Sequence, residues 1–94
     1  NIGTAAGTSC AAARQARIEA ALSAQQAYDW VVNGRFKGGY ITRHYGDPAN
    51  GIDAVQLEIS QRIYMDEDSF AYDDALAASA ARAIRALIEA ALRA

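Results

Sequence analysis

Between two alanine-rich segments of helical composition lies the stretch 33–61, and it limits what this chain can build. Five of the seven glycines, the only proline and the only histidine fall within it, with two of the five tyrosines. Its glycines free the backbone, while Arg35, Arg43, His44, Tyr45 and Glu58 crowd polar and charged groups together. Such a stretch reads as a site held between helices rather than as core.

The flanks follow from local rules. Residues 1–9 are small and glycine-punctuated, the tail of a strand or the loop after one, and Thr8 or Ser9 is expected to cap a helix over about 10–26. Alanine and straight-chain residues favour that helix, and Ala11, Ile18, Ala21 and Leu22 form a narrow apolar stripe along it. Aromatic and β-branched residues then predict a strand over 28–32. Gly38 and Gly39 break that pattern, a short helix is expected over 40–45, and 46–51 is turn chemistry throughout. Residues 53–60 alternate: Val55, Leu57 and Ile59 share one face of a predicted strand, and Gln56, Glu58 and Ser60 the other. An irregular acidic connection over 61–71 leads to Asp73, which is placed to cap a last helix over about 74–93. Leu76, Ala80, Ile84, Leu87, Ile88 and Leu92 are its expected core positions, with Arg82, Arg85 and Arg93 facing water.

The order is therefore helix, strand, site loop, strand, helix: an α/β arrangement. Two strands do not bury two long helices, because an independently stable sheet normally has three or more. The sequence asks for strands it does not contain, to be supplied by an N-terminal portion outside it or by self-association with a second copy. The absence of an initiator methionine before Asn1 adds to the expectation of a piece of a longer protein.

Composition narrows the function classes. A chain of 94 residues makes one domain or part of one. Its net charge of −2 gives no electrostatic reason to expect nucleic acid or a membrane surface. One cysteine rules out an internal disulfide framework and suggests a reducing compartment, hence the cytoplasm. No apolar run approaches the roughly 20 residues of a membrane helix, and no signal-peptide pattern is present.

Several residues can carry chemistry. Glu58 lies between Leu57 and Ile59, where burial would push its carboxyl toward the range of a general base; a partly exposed glutamate on an open sheet face fits the spacing equally well. Arg35, Lys37 and Arg43 place three cations near glycine turns, suited to a small anionic substrate or simply to a solvated surface. His44 is a candidate substrate contact or a hydrogen-bonded loop residue, and Tyr45 a candidate donor to a developing oxyanion. Cys10 with His44 would make a thiol nucleophile only if the fold brought them together. The run Asp66-Glu67-Asp68 lacks the spacing of a calcium loop. A catalytic zinc usually takes three protein ligands, and one histidine with one cysteine does not supply them.

The blocks from Asn33-Gly34-Arg35-Phe36-Lys37-Gly38-Gly39-Tyr40 through Ile41-Thr42-Arg43-His44-Tyr45-Gly46, then Val55-Gln56-Leu57-Glu58 and Tyr64-Met65-Asp66-Glu67, closely resemble the C-terminal part of the N-formylglutamate amidohydrolases. The opening Gly7-Thr8-Ser9-Cys10 fits as well. That resemblance implies the C-terminal part of a three-layer, zinc-carboxypeptidase-like fold. It also implies hydrolysis of N-formyl-L-glutamate to formate and L-glutamate, a step of histidine degradation. Glu58 would be the general base to a zinc-activated water, Arg43, Arg35 and Asn33 would hold substrate carboxylates, and Tyr45 would bond substrate or the tetrahedral intermediate. The zinc ligands would lie upstream of this chain, and the isolated 94 residues would be inactive. Members of that family often carry histidine where this chain has Asp53, which leaves the role of that position open. A different class of reading is a non-catalytic fragment or small self-associating binding module, and a third is a thiol-dependent amidase using Cys10.

Overall fold

The computed structural model describes residues 1–93. Its elements in chain order are β1 (Ile2–Gly3), α1 (Ala12–Ala24), α2 (Tyr40–Tyr45), β2 (Gln56–Leu57) and α3 (Asp74–Leu92), with single 3-10 turns at Pro48–Asn50 and Gln61–Ile63. The architecture is α/β: helices around a small antiparallel sheet in which Ile2 faces Leu57 and Gly3 faces Gln56. Ile2 also bridges Val32 in parallel, its N–H donating to the Val31 carbonyl at 2.9 Å and its carbonyl accepting from Asn33 N–H at 2.7 Å.

The helices match their local signals with informative shifts at the ends. α1 begins at Ala12, and neither Thr8 nor Ser9 caps it. The Thr8 hydroxyl donates to the Ala5 carbonyl and the Ser9 hydroxyl to the Ala54 carbonyl, each at 2.7 Å. Asp53 does the capping from across the fold, its Oδ1 accepting from Ala11 N–H at 2.7 Å as the acidic partner in a capping box would. At the other end, Gln25 donates to the Leu22 and Tyr28 carbonyls and accepts from Tyr28 N–H. Those bonds turn the chain out of the helix after Ala24. α2 is present over the span expected of it. α3 starts where Asp73 places it, the carboxylate accepting from Leu76 N–H at 2.9 Å.

The strands are the larger correction. Of 28–32, only Val32 enters a bridge, and of 53–60 only Gln56 and Leu57 enter the ladder. A strand extends only as far as its partner, and β1 is two residues long. Asn1 and Glu58 exchange both backbone bonds, at 2.8 and 2.9 Å. Hydrogen-bonded and non-bonded pairs alternate in an antiparallel ladder, so Leu57 turns its N–H and C=O away from β1, toward an open edge.

The core is correspondingly small. Ile2, Ile18 and Leu22 are buried together, with Val32, Val55, Leu87 and Ala91 packed against them, so β1 seals the junction of α1 and α3. Arg14 and Arg17 of α1 donate to the Ala91 and Arg93 carbonyls and fasten the end of α3. Along α3, Ala80 and Ala90 are buried and Ile84 and Leu87 half-buried. Leu76, Ile88 and Leu92, expected in the core, are exposed because too little structure packs over that helix. Leu57 and Ile59, the expected inner face of the second strand, are exposed for the same reason. Arg82, Arg85 and Arg93 face water as expected. Among the described residues no helix is long and apolar enough to cross a membrane.

Candidate active site

The glycine-rich segment is held from behind by the chain's first residues. Gly3 passes so close to Lys37 and Gly38 that a Cβ on it would meet their backbone at 2.7–2.8 Å. Ala5 N–H donates to the Lys37 carbonyl. Gly38 has φ +110°, and a side chain there would collide with Thr42, which is buried and closes the first turn of α2 by donating to the Gly39 carbonyl at 2.8 Å. Gly46 ends α2 against Ser9, with no room for a Cβ. α2 is thus seated on the 4–9 loop at both ends.

Glu58 is fastened to this arrangement through Gln56. The Gln56 amide oxygen accepts from Gly39 N–H at 2.7 Å and its nitrogen donates to Glu58 Oε1 at 2.6 Å. The carboxylate of β2's continuation is thereby tied to the turn that opens α2. The shared face of Gln56 and Glu58 is the one the alternation predicts, but the part played by Gln56 is visible only in three dimensions. Glu58 is exposed rather than buried between Leu57 and Ile59.

The other candidates divide. Arg43 donates to the Gly38 carbonyl at 3.1 Å, and His44 and Tyr45 are exposed beside it on α2. Tyr40 stacks on His44 with ring centroids 4.8 Å apart, and His44 meets Tyr45 edge-on at 4.7 Å. Arg35 lies over the Phe36 ring and, like Lys37, is exposed. Asn33 is engaged through both atoms of its amide. Its oxygen accepts from Thr4 N–H at 2.9 Å and Ala6 N–H at 3.4 Å, and its nitrogen donates to Thr4 Oγ1 at 2.8 Å. Thr4, fully buried, passes the bond on to Gln15. Asn33 adopts φ +51°, a left-handed conformation that asparagine tolerates better than most residues.

Asp53 acquires a structural role. The Ala11 N–H and the ion-paired Arg14 guanidinium hold its carboxyl below the usual aspartate range, against the opposing effect of burial. Cys10 is buried, and its thiol is pushed up by desolvation and then by the neighbouring Asp53 charge. Its Sγ contacts the Ala11 carbonyl at 3.5 Å, whereas His44 is exposed on α2. The fold gives no support to a thiolate nucleophile here. Asp66 accepts from Asp68 and Ser69 N–H in a turn, as a solvated connection does. Among the described residues no three His, Cys, Asp or Glu side chains converge as metal ligands would.

Comparison with known proteins locates this arrangement in a family. A family model described as N-formylglutamate amidohydrolase matches residues 1–65. The N-formylglutamate deformylase of Pseudomonas aeruginosa is 53% identical over 90 residues, covering 95% of this chain and 34% of that protein. The N-formylglutamate deformylase of Pseudomonas putida is 45% identical over 93 residues, covering 98% of this chain and 35% of that protein. The chain therefore spans about a third of the length of the curated relatives it matches. No solved structure matches it.

Proposed function

The chain belongs to the N-formylglutamate amidohydrolase family, and from that premise we propose that it supplies about a third of an enzyme hydrolysing N-formyl-L-glutamate to formate and L-glutamate. The observation that carries the reading is the anchored carboxylate: Glu58 held by Gln56, which is held in turn by the turn opening α2. A general base must be held in place yet be reachable, and Glu58 is both. It accepts a proton from the attacking water as the water oxygen bonds to the formyl carbon. The proton then passes to the nitrogen as the C–N bond breaks, releasing formate and the free amine.

Arg43 and Arg35 offer guanidinium forks to the two carboxylates of the substrate. Tyr45 is assigned as a hydrogen-bond donor to the tetrahedral intermediate, and His44 to orienting substrate through its stack with Tyr40. Asn33 is assigned to holding the loop through Thr4 and Ala6, with its second amide N–H assigned to a substrate carboxylate. The proposal extends to a zinc-carboxypeptidase-like, three-layer fold for the whole enzyme and to a cytoplasmic place in histidine degradation. Zinc belongs to the same reading, but the described residues bring no three metal-ligating side chains together, and its ligands are assigned to the part of the enzyme outside this chain.

The test is a chimera in which the 94 residues replace the matched third of the Pseudomonas aeruginosa deformylase. Formate release from N-formyl-L-glutamate is expected. Glu58→Gln in that chimera should lower kcat by about 10²–10⁴-fold with KM little altered. A folded chimera that releases no formate, or one whose kcat survives Glu58→Gln, refutes the assignment.

A further inference from the structure

One face of the molecule is unfinished. An open groove of about 880 Å³ runs between α3, the 27–30 segment and the 57–63 segment. Trp30, Phe36, Leu57, Ile59, Leu76 and Ile84 supply much of its apolar wall, and the first five are 38–49% exposed. Contiguous apolar surface of this kind marks an interaction site. The molecule as a whole carries the same sign. It exposes 6344 Å², where a complete monomer of its mass exposes about 5,200 Å². Its radius of gyration is 14.1 Å, against about 12.4 Å for a compact domain of this length. The excess area is of the order that one partner buries in a stable interface, about 800 Å².

The backbone gives the occupant its form. Leu57 turns an unpaired N–H and C=O outward, and Leu57 and Ile59 also line the groove, so an apolar strand can pair along that edge and cover the wall in one docking event. The relatives provide the occupant's identity. They are about three times as long as this chain, and the unmatched two thirds is where the missing sheet can reside.

We propose that the groove is the docking surface for the deformylase portion that this chain does not match, which adds a strand at the Leu57–Ile59 edge and buries Trp30, Phe36 and Leu76 beneath it. The inference rests on the family reading but not on its chemistry, since a complex can form whether or not formate is released. The two therefore fail separately.

The tagged 94-residue chain is co-expressed with the unmatched two thirds of the Pseudomonas aeruginosa deformylase and purified on its tag, with the mass of the product measured. A one-to-one complex is expected. Ile59→Asp and Leu76→Asp should each weaken it at least about tenfold, the effect of losing roughly 1.4 kcal/mol at the interface. Both side chains are already solvent-reached in the isolated chain, so these variants should keep its circular dichroism. Ile88→Asp, at a position more exposed on α3 but outside the groove, should leave the complex intact. A second measurement does not depend on the two pieces finding each other: in the chimera, amide exchange at Leu57 and Ile59 should slow at least about 100-fold relative to the isolated chain. Unchanged exchange overturns the proposal. So does loss of the complex in Ile88→Asp to the same degree as in Ile59→Asp. A concentration-dependent dimer of the chain alone that Ile59→Asp dissolves would assign the groove to a second copy instead.

Discussion

Around Thr4, Asn33 and Asp53 the chain is held by polar bonds between distant segments, whereas along the groove apolar side chains stand open to water. The first region spans little volume but is dense in hydrogen bonds between distant segments. Thr4 bonds Asn33 and Gln15, Asp53 caps α1 and pairs Arg14, and Ser9 reaches Ala54. The second has the hydrophobic material of a core, in Trp30, Phe36, Leu57, Ile59 and Leu76, without the layer that would make it one. The difference teaches where this chain's own stability resides. It lies in the junction of β1, α1 and α3 and in the polar ties beside it, while the groove contributes only when something covers it.

The strongest way to break that comparison is a paired truncation followed by urea unfolding of the isolated chain. Ile18→Ala, in the buried cluster, should cost about 3 kcal/mol. Leu57→Ala, on the groove wall, should cost under about 1 kcal/mol, and equal costs would refute the division.

Asp53→Ala comes next, at about 2 kcal/mol, because it removes a charged cap and leaves Arg14 unpaired. The same group predicts a pH dependence. Its folded value lies below the ordinary 3.8, so its contribution is complete above that value and is lost as pH falls through the lower folded value. Urea midpoints of the parent should drop more steeply than those of Asp53→Asn below about pH 4. Parallel curves would remove Asp53 from the stabilising set.

The smallest expected effect concerns the 4–9 loop. Ala6 adopts φ +56° with its side chain exposed. Ala6→Gly should stabilise by about 0.5–1 kcal/mol, since relief of the left-handed strain outweighs glycine's added chain entropy. A loss of stability would mean that the polar network, rather than the backbone strain, sets the loop's conformation.

Much of the local architecture was legible in the residues. Asp73 reads as a cap and is one, Gly51 takes the left-handed turn that closes Pro48–Asn50, and α2 occupies its expected span. The alternation through 53–60 puts Gln56 and Glu58 on one face, where their side chains do bond. The site was legible in part. Glu58, Arg43, His44 and Tyr45 all stay accessible, while the bonds that Asn33 makes are not legible locally, because Thr4 lies 29 residues away. Gln56 was seen only as a polar residue in a row, since its bond to Gly39 spans 17 residues.

The sequence by itself determined the helices, the turns and the Asp73 cap of α3, because these depend on bonds and side-chain spacing within a few residues. The tertiary structure alone decided how long each strand runs, which carboxylate caps α1 and which face of α3 stays wet. Each of those depends on a surface supplied from far along the chain. β1 offers two residues to pair with, Asp53 reaches Ala11 across 42 positions, and among the described residues too little packs over Leu76 or Ile59 to bury them. A strand predicted from composition states what a segment will accept as a partner, and pairing occurs only where that partner is present.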